Sequence, residues 1–287
     1  MRRVYKVAYV YMLEDMKRGA FFFVASVAMI ACLTGCGNKT ATTEGTEPVK
    51  GAHVIAHRGF WDTEGSAQNS RTSLQKSIEN GLWGSEIDVW LSADDSIIVN
   101  HDDVYEGVRV EEASYAECRE LKLKNGENMP TLGELLALIS PDTVSTKLII
   151  EIKTHTDSLR GRQAAKASVE AVKDAGVEDK VEYIAFSLDI CRALVAADST
   201  AKVAYLNGDV APSELLDYGI TGIDYYTAVY DAHPEYVEEC HKLGMTTNVW
   251  TVAGSEEIEK YTKMGLDFVT TDTPLEAKEV LKKYRND

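Results

Sequence analysis

The chain is expected to fold as an α/β protein, a (β/α)8 TIM-type barrel somewhat irregular at its second and third strands. Three observations predict this. From His53 onward, short apolar runs alternate with helix-length segments, the pattern of parallel strands joined by helical crossovers. About nine of the runs read as strands, close to the eight of a closed barrel. The rival, an open doubly wound sheet, calls for a Gly-rich phosphate loop after its first strand, and Val54-Ile55-Ala56 is followed by none.

The elements follow in order. Val54-Ile55-Ala56 is a short apolar run. Thr72 to Asn80 reads as a helix, with Leu74 and Ile78 one turn apart. Ser85 to Leu91 and Ile97 to Asn100 are strand-like. The stretch from Val89 to Ile97 is too short for a crossover helix, and Asp94-Asp95-Ser96 resembles a tight turn. These two strands therefore form a hairpin, or the barrel is irregular there. Asp103 to Pro130 reads as a short connection only. Thr131 and Glu134 make a capping box for a helix reaching Ile139. Leu148 to Ile152 is a continuous branched apolar run, the mark of a strand buried on both faces. Helices are then expected at Gln163–Ala175, Ile190–Ala197, Glu235–Leu243, Glu256–Met264 and Leu275–Tyr284. Strands are expected at Val181–Phe186, Val203–Leu206, Gly222–Tyr226, Thr246–Val252 and Phe268–Thr270.

Of the 287 residues, 45% are hydrophobic and 26% charged, a globular composition with enough apolar material for one large core. The net charge of -16, from 46 acidic against 30 basic residues, repels polyanions and argues against nucleic-acid binding. At the N-terminus, Lys17 and Arg18 precede an apolar run from Ala20 to Leu33. The run is too short to span a bilayer comfortably. It ends in Leu33-Thr34-Gly35-Cys36, which resembles a bacterial lipoprotein signal. That resemblance implies lipidation at Cys36, a membrane partner through the lipid, and a place in the bacterial cell envelope. Residues 1–36 are then the signal segment, opening at Met16 if that is the true start. Residues 37–51 are a polar, Thr- and Glu-rich tether, and 52–287 form the barrel domain. Cys118, Cys191 and Cys240 stand in no C-x-x-C motif and read as small buried residues.

Polar residues sit at the ends of the strand-like runs, where a barrel places its site. His57-Arg58-Gly59 follows the first run, Glu86 and Asp88 share one face of the next, His101-Asp102 ends the third, and Glu151 and Lys153 close the run from Leu148. Three carboxylates on one face need a cation, and hard ions such as Mg²⁺ or Ca²⁺ take oxygen ligands, so Glu86, Asp88 and Glu151 suit either. His57 and His101 titrate near neutral pH and can serve as acid and base. Arg58 and Lys153 can hold phosphate oxygens. Singly, each feature has a plainer explanation: a structural histidine, a solvated strand face, an ion pair. Together they describe metal-assisted phosphoryl transfer.

His57-Arg58-Gly59, Asn69 before a helix, Glu86-Ile87-Asp88-Val89, Val99-Asn100-His101-Asp102 and Ile150-Glu151-Ile152-Lys153 resemble the ordered motifs of glycerophosphodiester phosphodiesterases. Val249-Trp250-Thr251-Val252 and Thr270-Thr271-Asp272-Thr273-Pro274 extend the resemblance, which covers His53 to about Val280. It implies a phospholipase-C-like barrel with one divalent cation on Glu86, Asp88 and Glu151. His57 and His101 are then the acid–base pair, with His57 as base. Arg58 and Lys153 contact phosphate, and Trp250 lines the pocket for a small phosphodiester, unless it is simply a core aromatic. Both attack by the neighbouring glycerol hydroxyl and direct attack by water fit these residues. The chain departs from the family at Gln68, where a glutamate is usual, and at Ala253, where an asparagine is common. Gln68 leaves Arg58 with its full charge, and taken alone predicts a preference for anionic or strongly polar head groups over choline. Alternatives are a phosphodiesterase for inositol or lysophospholipid diesters, a non-catalytic phosphodiester-binding lipoprotein, and a structural lipoprotein. The oligomeric state is not legible here.

Overall fold

A computed structural model describes residues 51–284. The signal segment, Cys36 and nearly all of the tether lie outside the described residues. Eight parallel strands close into a barrel: β1 (His53–Ala56), β2 (Gly84–Leu91), β6 (Lys147–Ile152), β7 (Val181–Ala185), β8 (Val203–Tyr205), β9 (Gly222–Tyr226), β10 (Thr246–Val252) and β11 (Phe268–Thr271). Each pairs with the next in that order, and β11 returns to β1 with His53 opposite Phe268. The ninth strand, β3 (Ile97–Val99), runs antiparallel to the end of β2, with Val89 opposite Val99. The irregularity read from the short Val89–Ile97 stretch is thus a hairpin. At Val89 the other edge of β2 is held by Ile152 of β6, so β3 takes the edge that β1 pairs lower down.

Alternation along the strands divides the apolar residues between two layers. Ile55, Ile149, Ile184 and Leu206 fill the barrel interior with Trp83, Phe186, Trp250 and Phe268 packed on them. Val54, Ala56, Ile87, Val89, Leu148, Ile150 and Ile152 face the helices in the large outer core. The Leu148–Ile152 run is therefore buried on both faces, as its composition requires. Among the described residues no helix is long and apolar enough to cross a membrane.

The segment from Asp103 to Pro130 is more than a connection. It carries a small antiparallel pair, β4 (Val104–Tyr105) and β5 (Val108–Arg109), and a helix over Tyr115–Glu120. Trp90, Ile98, Val110, Cys118, Leu123 and Met129 form a separate apolar cluster beneath it. Its helix starts on a capping box, Ser114 with Glu117, the same device that Thr131 and Glu134 supply to the crossover helix Leu132–Ile139. The helix expected from Gln163 begins a turn earlier, at Ser158, because the Asp157 carboxylate caps the Leu159 N–H.

Candidate active site

β1 delivers His57 and Arg58 to the mouth of the barrel and then turns sharply. Arg58 and Asn69 both hold left-handed backbone, at φ 54° and 57°. Gly59, at φ 78°, lies so close to the first helix that a Cβ there would stand 2.2 Å from Ser73 Oγ. This bend aims the Arg58 N–H at Glu86 Oε2, 2.7 Å away. The Arg58 guanidinium donates through Nη1 to Gln68 Oε1 at 3.1 Å, and its Nε is 3.9 Å from Asp88 Oδ2.

Glu86 and Asp88 lie two residues apart on β2, and Asp88 is paired across the sheet with Glu151 of β6. All three are buried, with ligand oxygens within 4.8 Å of one another. Asn69 grips Asp88 at two points, donating to Oδ2 at 2.8 Å and accepting from the Asp88 N–H at 3.0 Å. Lys153 Nζ is 2.8 Å from Glu151 Oε1 and 3.2 Å from Asp88 Oδ1. His155 fixes the end of that strand. Its Nε2 accepts from the Leu91 N–H, which sets the proton on Nδ1, 2.8 Å from the Lys153 carbonyl.

Charge in this cluster is unevenly borne. Burial works against the Asp88 charge, but Lys153, His101 and Arg58 overcome it and hold the carboxyl well below its ordinary range. Burial, then repulsion from Asp88 and Glu151, pushes Glu86 well above its ordinary range. Burial also outweighs the pull of Lys153 on Glu151, which rises to about 7. The patch is therefore short of positive charge. Glu86 Oε1 is buried without a hydrogen-bond partner. A small hard cation with oxygen ligands meets both needs, so the donor set fits Mg²⁺ or Ca²⁺.

Each histidine is held through Nδ1. His57 Nδ1 is 2.8 Å from Asp272 Oδ1, an oxygen that also accepts from Trp61 Nε1 at 3.0 Å. Burial would raise the Asp272 carboxyl, but the bonds to His57 and Trp61 keep it below its ordinary value. His101, in the turn after β3, has Nδ1 2.8 Å from Asp102 Oδ1. Burial lowers its pKa against the pull of Asp88.

Seven of the residues picked out in the sequence, His57, Arg58, Glu86, Asp88, His101, Glu151 and Lys153, thus share one mouth. Trp250 stands on the neighbouring wall. Its indole donates to the Asp224 carbonyl at 2.9 Å and its ring packs against Phe186 and Tyr226, half-buried on the barrel's interior apolar cluster. Three contributors carried no assigned role in the sequence: Asp272, Asn69 and His155. Asp272 was findable, since it directly follows the last strand and a closed barrel sets the last strand beside the first.

Fold and mouth together define a (β/α)8-barrel phosphoric diester hydrolase. Residues 57–276 match the Glycerophosphoryl diester phosphodiesterase family, and the chain belongs to that family. It is 27% identical over 235 residues to the glycerophosphodiester phosphodiesterase of Caldanaerobacter subterraneus, covering 77% of this chain and 94% of that protein. A crystal structure of a glycerophosphodiester phosphodiesterase from Parabacteroides distasonis superposes with a TM-score of 0.79 at 42% identity, over 82% of this chain and 98% of that one. An Oleispira antarctica phosphodiesterase, in complex with the product sn-glycerol-3-phosphate, shares the fold with a TM-score of 0.69 at 22% identity, over 81% and 97%. The protein is accordingly an enzyme that cleaves glycerophosphodiesters.

Proposed function

We propose that the protein hydrolyses glycerophosphodiesters to an alcohol and glycerol phosphate by acid–base catalysis between His57 and His101, with one Mg²⁺ or Ca²⁺ on Glu86, Asp88 and Glu151. The observation that carries this is the buried carboxylate cluster with an unpartnered oxygen, beside two histidines each fixed through Nδ1 to a carboxylate. A divalent cation held by Glu86, Asp88 and Glu151 would supply Lewis-acid polarisation to the substrate. Arg58 and Lys153 hold phosphate oxygens and offset their charge. His57, oriented by Asp272, takes the proton of the neighbouring glycerol hydroxyl, whose oxygen attacks phosphorus. His101 gives a proton to the departing alcohol. Water then opens the cyclic phosphate with the two histidines exchanging roles. Trp250 borders the substrate. The test is a panel of glycerophosphodiesters assayed with and without EDTA. Turnover of at least one that stops on chelation and returns with Mg²⁺ or Ca²⁺ supports the reading, and undiminished activity in verified metal-free protein sinks it.

Asp272 acts through His57. Asp272→Asn is expected to lower kcat by part of the roughly 10²- to 10⁴-fold that a general base contributes, with KM little changed. A rise in KM with kcat unchanged would remove Asp272 from this role.

The proposal extends to location. Cys36, after Leu33-Thr34-Gly35, carries a lipid that anchors the enzyme in a bacterial cell envelope, with residues 37–51 as tether. Labelled fatty acid is expected to enter the wild type and not Cys36→Ala. Equal labelling of both would show that the motif is unused.

A further inference from the structure

Beside His101 the mouth opens into a cavity of about 510 Å³, ample for a small organic group. One wall is the loop from Trp61 to Asn69. The other is the inserted lobe, through Tyr105 and Lys124, and His101 and Asp102 lie at the junction. The two phosphate-holding cations, Arg58 and Lys153, are not part of its lining. The lining instead offers two aromatic rings, Trp61 and Tyr105, and three carboxylates, Asp62, Glu64 and Asp102, against the single ammonium of Lys124. Both rings are fixed in place. The Trp61 indole donates to Asp272, and the Tyr105 hydroxyl donates to the Lys122 carbonyl at 2.9 Å.

In the reaction proposed above, His101 protonates the departing alcohol, so that alcohol lies against His101. We infer that this cavity seats the leaving alcohol and selects alcohols bearing an ammonium cation over neutral and anionic ones. The inference rests on the phosphodiesterase reading of the site and adds its substrate class. An ammonium group is attracted by the fixed aromatic rings and by three carboxylates that outnumber Lys124 and the protonated His101 together. A polyol head group gains neither attraction, and an anionic one is repelled. The preference is the reverse of the one expected from Gln68 alone. Gln68 lies on the same wall, but its amide is engaged by Arg58 Nη1 and it is neutral, so the three carboxylates set the sign of the cavity.

The test compares kcat/KM of the full chain, supplied with divalent cation, on glycerophosphocholine, glycerophosphoethanolamine and glycerophosphoglycerol. Both ammonium diesters are expected to exceed the neutral one by roughly 10-fold. The margin should shrink at about 1 M salt, because carboxylates exposed at a cavity rim are screened. Asp62→Asn combined with Glu64→Gln should lower the ratio of ammonium to neutral substrate, and Lys124→Gln should raise it. A wild-type ratio at or below one, or a ratio that neither variant moves, overturns the cavity assignment and leaves the phosphodiesterase reading standing. Failure to hydrolyse any of the three diesters overturns both.

Discussion

Alanine at either His57 or His101 is expected to lower kcat by roughly 10²- to 10⁴-fold, the usual worth of a positioned acid or base, with little change in thermal melting. The stability half of the expectation follows from placement. The His101 side chain is 35% exposed and the His57 side chain 20% exposed at the barrel mouth, so neither truncation opens a sealed core cavity. The two variants should separate when the leaving group is changed. An acid is dispensable when the departing oxygen is already a stable anion, whereas the base must act regardless. A nitrophenyl diester should therefore restore much of the rate to His101→Ala and little to His57→Ala. The opposite pattern would exchange the two roles. Wild-type turnover of a choline diester by either variant would remove that histidine from the chemistry.

Glu86→Gln is expected to abolish cation binding and to reduce kcat on the order of 10³-fold, equivalent to several kcal/mol of barrier. Its effect on stability has an unusual sign. Most losses of a buried polar group destabilise a protein. Here the carboxylate lost is crowded by Asp88 and Glu151 and is held far above its ordinary pKa by burial and by them. In EDTA the variant should melt no lower than the wild type. Added Mg²⁺ or Ca²⁺ should raise the wild-type melting temperature by linkage and leave that of the variant unmoved. A metal-induced rise of equal size in both proteins would place the cation elsewhere.

The sequence made some parts of this site plain and hid others. Residues that combine a strand-end position with unusual chemistry were legible together: Glu86-x-Asp88 alone reads as a solvated face and Glu151-x-Lys153 as an ion pair, but three acids at successive strand ends beside histidines and cations pointed to one site. The hairpin of β2 and β3 was bounded by its length alone, but choosing between a hairpin and an irregular barrel needed the register of Val89 against both Val99 and Ile152. The inserted lobe was read as a short connection although Ser114-Tyr115-Ala116-Glu117 repeats the pattern of Thr131-Leu132-Gly133-Glu134. Its apolar residues are spaced without helical or strand period, and they cohere only by packing on Trp90 and Ile98 of the hairpin. His155 was invisible for a similar reason: its role is a backbone bond to Leu91 across 64 positions, which no local pattern records.

The bond from His57 to Asp272 spans 215 positions, almost the whole described chain, and joins the first strand to the last. A chain still lacking β11 has neither the strand that completes the ring nor the Asp272 carboxylate that holds His57. Such a fragment holds both histidines and all three clustered acids, yet it is expected to show no partial activity. If Asp272 orients the base as proposed, catalytic competence waits on ring closure, and the nascent polypeptide is expected to stay inert toward diesters until synthesis has passed residue 272 and the two ends have met. Turnover is then a direct report on complete folding, and C-terminal shortening into β11 should silence the protein more thoroughly than its distance in sequence from Glu86 and Asp88 suggests.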